Sequence, residues 1–216
     1  MLNLHKECRS FGESVQATQP LEIKLPEALL NIPLLTGLPG ERLHFERRRS
    51  GNAEGIATTF DACEILLSNN FSYQGPNAAI LKALLPSITG KSVTDWIARS
   101  AGLAHEETLS IAKLQLNRML PGDVISPHSH SNRSLTLVIG VQEAETGGLH
   151  FSTDDFDSEE RLLHRLAPGS AILSPGSTIH GVTQVLTGAR YTLVYELDVP
   201  SPHHNYSPPG WQSARF

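Results

Sequence analysis

Apolar residues along this chain alternate with polar ones or form short runs, and most of these segments lie in its second half. Pro and Gly residues separate the segments, and β-favouring residues fill them. Short strands at such spacing are typical of a β-sandwich or a jelly roll. The predicted strands cover residues 21–25, 111–119, 135–141, 149–151, 161–166, 171–173, 181–185 and 190–197.

Two helices are predicted ahead of most of the strands. The first covers residues 77–85 and stops at Pro86, because proline cannot continue a helix without losing a backbone hydrogen bond. The second covers residues 92–100, where Ser92 and Asp95 have nearly the spacing of a capping box.

The predicted fold class is therefore mainly β: a double-stranded β-helix (jelly roll, cupin-like) with flanking N-terminal helices. The 216 residues fit one large domain. Within it we expect N-terminal strands and supporting helices over 1–110, the jelly-roll core with the functional site over 111–199, and a Pro-rich tail over 200–216.

Composition and charge narrow the classes of partner. The chain is 39% hydrophobic and 18% charged with a net charge of −5, which is ordinary for a globular protein. Its longest basic run is the arginine triplet 47–49, which we interpret as a solvated turn before Ser50. Neither nucleic acid nor an anionic membrane is an expected partner.

The cysteine content and the N-terminus predict a cytoplasmic protein. Cys8 and Cys63 are too few for a disulfide framework in a domain of this size, so we expect reduced thiols. The first residues lack the apolar core of a signal peptide, and no apolar stretch approaches the roughly 20 residues that span a bilayer.

Three of the ten histidines form a candidate metal site. His128 and His130 are two residues apart, so in an extended segment both imidazoles project from one face. His180 follows a turn, a short apolar strand and a second turn, and a jelly roll can fold such a hairpin against the first pair. Imidazole binds iron, zinc and copper well, and three ligands on one face leave positions for a bidentate cosubstrate and O₂.

An arginine and a threonine follow the last of these histidines. Arg190 lies on the next predicted strand, and Thr192 points to the same side of it. A guanidinium that reaches into the barrel from this strand could bind a carboxylate through two hydrogen bonds.

Together these segments resemble the iron(II)- and 2-oxoglutarate-dependent oxygenases, especially the prolyl-hydroxylase-like group. Residues 116–128 resemble the strand and turn before that family's first iron ligand, and residues 147–151 its Gly-Gly-x-Leu-x-Phe turn, shortened by one residue. Residues 180–190 resemble the segment from the last iron ligand to the 2-oxoglutarate anchor.

The resemblance implies an enzyme that uses Fe(II), 2-oxoglutarate and O₂ to hydroxylate or otherwise oxidise a C–H bond of a small molecule. His128, His130 and His180 would bind the iron, and Arg190 and Thr192 would bind the far carboxylate of 2-oxoglutarate.

The first motif departs from the family, which has His-x-Asp or His-x-Glu where this chain has His128-Ser-His130. An imidazole thus replaces the carboxylate ligand. His130 is not small, so a halide site is not favoured. Asn132, in a shifted His-x-Asn motif, would be a poor ligand because its amide is neutral.

Two alternatives stay open. The cupins share the jelly roll and carry Gly-x5-His-x-His, which Gly122 to His130 matches, and some cupin thiol dioxygenases use three histidines without 2-oxoglutarate. Against a cupin, Ser134 stands near the place of the cupin glutamate ligand. The other alternative is a non-catalytic jelly-roll binding protein.

The substrate-facing residues of this fold are expected on loops and in the N-terminal region. Phe71, Tyr73 and Gln74 precede the first predicted helix and are weak candidates for the mouth of the site.

Overall fold

The computed structural model describes residues 21–24, 43–51, 57–68, 70–101, 109–130 and 134–199. Cys8, Asn132 and the predicted tail 200–216 lie outside these residues. The described strands are β1 (Leu21–Lys24), β2 (Glu46–Gly51), β3 (Ala57–Leu67), β4 (Asn70–Phe71), β5 (Ser110–Met119), β6 (Ile125–His128), β7 (Ser134–Gln142), β8 (Thr146–Gly147), β9 (His150–Thr153), β10 (Leu162–His164), β11 (Ser170–Pro175), β12 (Ile179–Val182), β13 (Val185–Thr187) and β14 (Arg190–Asp198). The helices are α1 (Ala78–Thr89) and α2 (Lys91–Ser100).

Two antiparallel sheets form the body of the protein. The main sheet has the order β1-β11-β7-β14-β5-β3-β2, with β4 paired to β3, and the small sheet has the order β10-β9-β12-β6. Along the chain, the core strands pass back and forth between the two sheets. This arrangement is a double-stranded β-helix, so the predicted fold class is confirmed.

The two faces of the main sheet have opposite character because side chains alternate along each strand. On β14, Leu193, Tyr195 and Leu197 are buried in the hydrophobic core that the helices cover. Arg190 and Thr192, on the same strand, face the interior between the two sheets instead. The main sheet therefore has one apolar face, which packs against the helices, and one polar face, which lines a cavity.

Helix α1 runs past Pro86, so the predicted stop at that residue is wrong. The last turn is held by contacts that compensate for the missing proline N–H. Ile88 is buried in the core, and its carbonyl oxygen accepts a hydrogen bond from the Tyr195 hydroxyl at 2.8 Å. The Thr89 hydroxyl donates to the Leu85 carbonyl oxygen at 2.6 Å.

Helix α2 lies where the sequence predicts it, but its capping box does not form. The helix begins after Gly90, which makes no side-chain capping hydrogen bond. Asp95 instead pairs with Lys91 one turn away, with 2.8 Å between the Lys91 Nζ and the Asp95 Oδ1. The favourable i,i+4 spacing of opposite charges thus replaces the predicted cap.

Most predicted strands are found, with two differences. The predicted strand 181–185 is divided into β12 and β13, and the arginine triplet lies in β2, so its interpretation as a turn is wrong. Strand β2 pairs with β3 along its whole length. This pairing satisfies the β2 backbone groups that face β3, and an edge strand can carry polar side chains.

Charged side chains tie β2 to the turn between β5 and β6. The Arg47 guanidinium donates to both carboxylate oxygens of Asp123 and to Asp61 Oδ1, the last at 3.1 Å. Arg118 Nη2 donates to the other oxygen of Asp61 at 2.7 Å. Burial alone would raise the pKa of Asp123, but the hydrogen bonds from Arg47 and the Leu120 amide outweigh it and lower the pKa.

We expect Asp123→Asn to reduce the free energy of unfolding at pH 7 by about 2 kcal/mol, because it leaves Arg47 without its main partner. The lowered pKa makes this contribution fully present above pH ~4, the unfolded pKa, and it is lost as the pH falls through the folded value. Urea unfolding at pH 7 and pH 3 tests this, and the difference between the proteins should shrink at pH 3. Asp95→Asn, at an exposed pair, is the control, and equal midpoints for Asp123→Asn and wild type at pH 7 would contradict the prediction.

Cys63 is a free, buried thiol. Neither of the helices in the described residues is long and apolar enough to cross a membrane.

Candidate active site

The three histidines that the sequence singles out come together between the sheets. His128 ends β6, His130 follows two residues later, and His180 lies on β12 directly opposite His128. The ring centroids are 4.4 Å apart for His128 and His180, and 5.2 Å apart for each of the other two pairs. One ring nitrogen of each residue lies within 4.8 Å of those of the others, a spacing that a single metal ion can bridge.

Gly181 allows β12 to lie this close to β6. A Cβ atom at this position would be 2.5 Å from the carbonyl oxygen of Ile125 and also 2.5 Å from the Phe151 ring. Any larger residue would therefore push β12 away and move His180 from its place opposite His128.

Hydrogen bonds orient two of the imidazoles. The Nδ1 atoms of His128 and His180 lie 3.0 Å and 2.9 Å from the carbonyl oxygens of Ser126 and Thr178. Because a carbonyl oxygen only accepts, each Nδ1 carries the proton, which leaves Nε2 as the metal-binding atom.

Burial favours the neutral, metal-binding form of two of the imidazoles, those of His130 and His180. Burial and the neighbouring His128 lower the pKa of His180 to about 3. Burial also lowers the pKa of His130, although the nearby Glu196 acts in the opposite direction.

A cavity of about 290 Å³ opens beside the cluster, over the polar face of the main sheet. Its floor is the ladder between β5 and β14, on which Arg190 pairs with Met119 at one end and Glu196 with Lys113 at the other. The lining side chains from these two strands are Lys113, Gln115, Asn117, Arg190, Thr192, Val194 and Glu196.

Arg190 is the buried cation of this cavity, with only 4% of its surface exposed. Its Nη1 atom donates to Thr192 Oγ1 at 3.3 Å and lies 3.7 Å from Met119 Sδ. Its Nη2 atom has no hydrogen-bond partner among the described residues, and burial lowers its pKa to about 10. A buried guanidinium with an unused donor is costly alone, so this end of the cavity suits a carboxylate.

The glycine turn before β9 makes room for Arg190. Gly147 and Gly148 both have positive φ angles, of 73° and 64°, which favour glycine. A Cβ at Gly148 would lie 3.2 Å from Arg190 Cδ. The turn predicted from the sequence therefore packs directly against the arginine.

Comparison with known proteins shows a relative that is similar in sequence. No protein-family model matches it. A PKHD-type hydroxylase from Synechococcus sp. strain CC9605 is 30% identical over 147 residues, which cover 65% of this chain and 64% of that protein. The match thus spans just under two thirds of the length of this relative.

Solved structures share the fold. A 2OG-Fe(II) oxygenase family protein from Burkholderia pseudomallei has a TM-score of 0.62 at 20% identity, covering 82% of this chain and 84% of that one. A viral collagen prolyl hydroxylase from Paramecium bursaria Chlorella virus-1, in complex with 2-oxoglutarate, has a TM-score of 0.52 at 13% identity, covering 84% of this chain and 96% of that one. The predicted resemblance to the iron(II)- and 2-oxoglutarate-dependent oxygenases is confirmed.

His150 is a cavity residue that the sequence did not single out. It is fully buried in the cavity wall, and its ring stacks on that of His180 with centroids 5.6 Å apart and an interplanar angle of 20°. Burial, with the nearby His180 and Arg190, holds its pKa well below the usual range. Its place directly after the Gly-Gly-Leu turn was the available signal.

Glu196 and Lys113 were also missed. They lie at the outer end of the cavity, with 3.5 Å between the Lys113 Nζ and the Glu196 Oε1. The alternation that places Thr192 beside Arg190 also places Glu196 on the same face of β14, so the same rule could have found it.

The predicted mouth residues lie elsewhere. Phe71 packs against the core, Tyr73 is buried with its hydroxyl oxygen 3.0 Å from the His44 amide nitrogen, and Gln74 is exposed. None of the three lines the cavity, whose wall includes Ser50 and Thr58 from β2 and β3 instead.

Proposed function

We propose that this protein is a non-haem iron dioxygenase that uses 2-oxoglutarate as cosubstrate and oxidises a C–H bond of a small molecule. The observation that carries the proposal is the buried Nη2 of Arg190, which has no hydrogen-bond partner in the described part of the chain and lies in the same cavity as the three-histidine cluster. The relatedness to a PKHD-type hydroxylase supports it. A cavity of about 290 Å³ is at the small end of ligand pockets, which favours a small substrate.

The residues divide into two binding groups. His128, His130 and His180 would hold Fe(II) through imidazole nitrogens. Arg190 and Thr192 would bind the far carboxylate of 2-oxoglutarate, since no described residue accepts a hydrogen bond from Arg190 Nη2 and the Thr192 hydroxyl lies 3.3 Å from Arg190 Nη1. When bound, iron and 2-oxoglutarate supply the oxidation of a C–H bond by O₂, coupled to oxidative decarboxylation of the cosubstrate.

The protein contributes orientation, charge and shelter from water. The backbone hydrogen bonds of His128 and His180 fix the imidazoles before any ligand arrives, which reduces the entropy lost on binding. Three neutral ligands leave a divalent charge uncompensated, so the site favours a dianionic cosubstrate over a neutral one. The buried floor around Thr192 strengthens these electrostatic interactions.

Anaerobic titration tests the proposal. With Fe(II) present, added 2-oxoglutarate should produce a visible charge-transfer band that saturates. Pyruvate, which has the same keto-acid group without the far carboxylate, is the matched ligand control. We expect it to bind at least ~100-fold more weakly, because Arg190 would stay unpaired. Equal affinities for the two acids would contradict the proposed role of Arg190.

The three clustered histidines also support a second candidate function. This candidate is a three-His cupin dioxygenase that oxidises a thiol or another small acid without 2-oxoglutarate. The observation that favours it is that all three clustered side chains are imidazoles. Arg190 would then bind the carboxylate of the substrate. Iron binding without a 2-oxoglutarate band, together with thiol-dependent oxygen consumption, would select this candidate. A protein that binds no iron would instead be a non-catalytic jelly-roll binding protein.

A cytoplasmic location is part of the same proposal. The free thiol of Cys63 supports it, because reduced cysteines are usual in that compartment.

A further inference from the structure

The three clustered imidazoles differ in what their Nδ1 atoms face. Those of His128 and His180 face backbone carbonyl oxygens, but the Nδ1 of His130 faces the Glu196 carboxylate, with 3.9 Å between it and Oε1. We infer that Glu196 is the positioning carboxylate of the metal site: it orients His130 and supplies, through this imidazole, the negative charge that the first motif lacks. This inference rests on the proposed function, since it requires a metal ion at the three histidines.

Glu196 is well placed for this role. It belongs to β14, the strand that also carries Arg190, and it lies at the opposite end of the cavity floor. Among the described residues that line the cavity, Glu196 is the only one with a carboxylate. Its side chain is 28% exposed, so its charge is only partly screened by water.

His130 needs an orienting partner more than the other two histidines. It lies beyond the end of β6, where the sheet no longer constrains it, and its backbone N–H donates to the Gly176 carbonyl oxygen at 2.6 Å. That bond fixes the backbone but leaves the ring free to turn about its side-chain torsions. A carboxylate on Nδ1 would direct Nε2 towards the cluster and make it a stronger donor.

Lys113 contacts the Glu196 carboxylate as well. Its Nζ is 3.5 Å from the same Oε1 of Glu196 that faces His130. This contact holds the Glu196 side chain at the cavity wall, on the side of the cluster where His130 lies. The Glu196 carboxylate therefore lies between the Lys113 side chain and the His130 imidazole, as in the carboxylate–histidine arrangements that support metal ligands.

The test is the affinity of the full chain for Fe(II), measured anaerobically by competition with a chromogenic chelator. Glu196→Gln keeps the shape of the side chain and removes its charge, and we expect it to weaken Fe(II) binding by about 10- to 100-fold. Glu143→Gln is the matched control, because Glu143 is 25% exposed, pairs with Arg165 and does not line the cavity. It should leave the affinity within about threefold of wild type.

A second background separates an effect through His130 from a general effect of charge. In His130→Asp the metal has a direct carboxylate ligand and no imidazole remains for Glu196 to orient, so adding Glu196→Gln should change the affinity less than about threefold. If that variant binds iron too weakly to titrate, the same comparison in His130→Ala uses Cu(II), which two imidazoles bind more tightly.

The outcomes are distinct. A Glu196→Gln protein that binds Fe(II) like wild type overturns the inference while leaving the proposed function intact. An equal loss in both backgrounds overturns the role of His130 as the intermediary. Wild-type protein that binds no iron overturns the proposed function itself.

Discussion

Arg190→Met should make the ligand-free protein more stable and unable to bind 2-oxoglutarate. The wild-type guanidinium is fully buried, and its Nη2 has no hydrogen-bond acceptor within the described ranges, so desolvating its charge destabilises the folded protein. Methionine fills a similar volume without that cost. We expect a gain of about 1–2 kcal/mol in the free energy of unfolding, after the loss of the hydrogen bond to Thr192.

Thermal unfolding with and without ligand measures both effects. Each kcal/mol of this gain in stability should raise the Tm of the ligand-free variant by about 2–4 °C. With Fe(II) present in every sample, 2-oxoglutarate at about 100 times its Kd should stabilise wild type by about 2.7 kcal/mol and leave Arg190→Met unchanged. Arg165→Met, at a 78% exposed arginine, is the control and should respond to the ligand as wild type does.

The opposite result would be informative. If Arg190→Met is less stable than wild type by more than about 1 kcal/mol, the guanidinium is already satisfied in the free protein, and the cavity has no special preference for a carboxylate. Preorganised binding sites often make the ligand-free protein less stable than it could be, because their polar groups are arranged for the ligand.

The jelly-roll core could be predicted from the sequence because its signals are local. Turns rich in Pro and Gly divide the second half of the chain into strands, and the period of two assigns a face to each residue. The same rule places Arg190 and Thr192 side by side on β14, as the structure has them. His128 and His180 lie opposite each other because β6 and β12 pair, as expected for two hairpins of this fold.

The missed features depend on contacts between distant residues. Nothing near the arginine triplet indicates a strand, and β2 is defined by its pairing with β3 and by the ion pairs of Arg47 with Asp61 and Asp123. Helix α1 passes Pro86 because Tyr195, more than a hundred residues later, donates to the last turn. Tertiary contacts of this kind override local propensity, which is a weak predictor alone.

The same limit applies at the site. The contact between His130 and Glu196 joins the segment after β6 to a strand near the end of the described chain. Periodicity places Glu196 on the cavity face but says nothing of its distance from a particular histidine. The candidate ligands could therefore be predicted, whereas the groups that orient them required the three-dimensional structure.

The three histidines should not contribute equally to iron binding. His180 lies within β12, between β6 and β9, with its ring fixed by Thr178, so His180→Ala should weaken Fe(II) binding by at least ~100-fold and abolish 2-oxoglutarate-dependent oxygen consumption. His130→Asp should retain both within about tenfold, because a carboxylate is also a good iron ligand there. Chelator competition and an oxygen electrode measure the two effects, with His44→Ala, at an exposed histidine, as the control. Wild-type iron affinity in His180→Ala would mean that iron binds elsewhere, whereas loss of both properties in His130→Asp would mean that the site depends on an imidazole at this position.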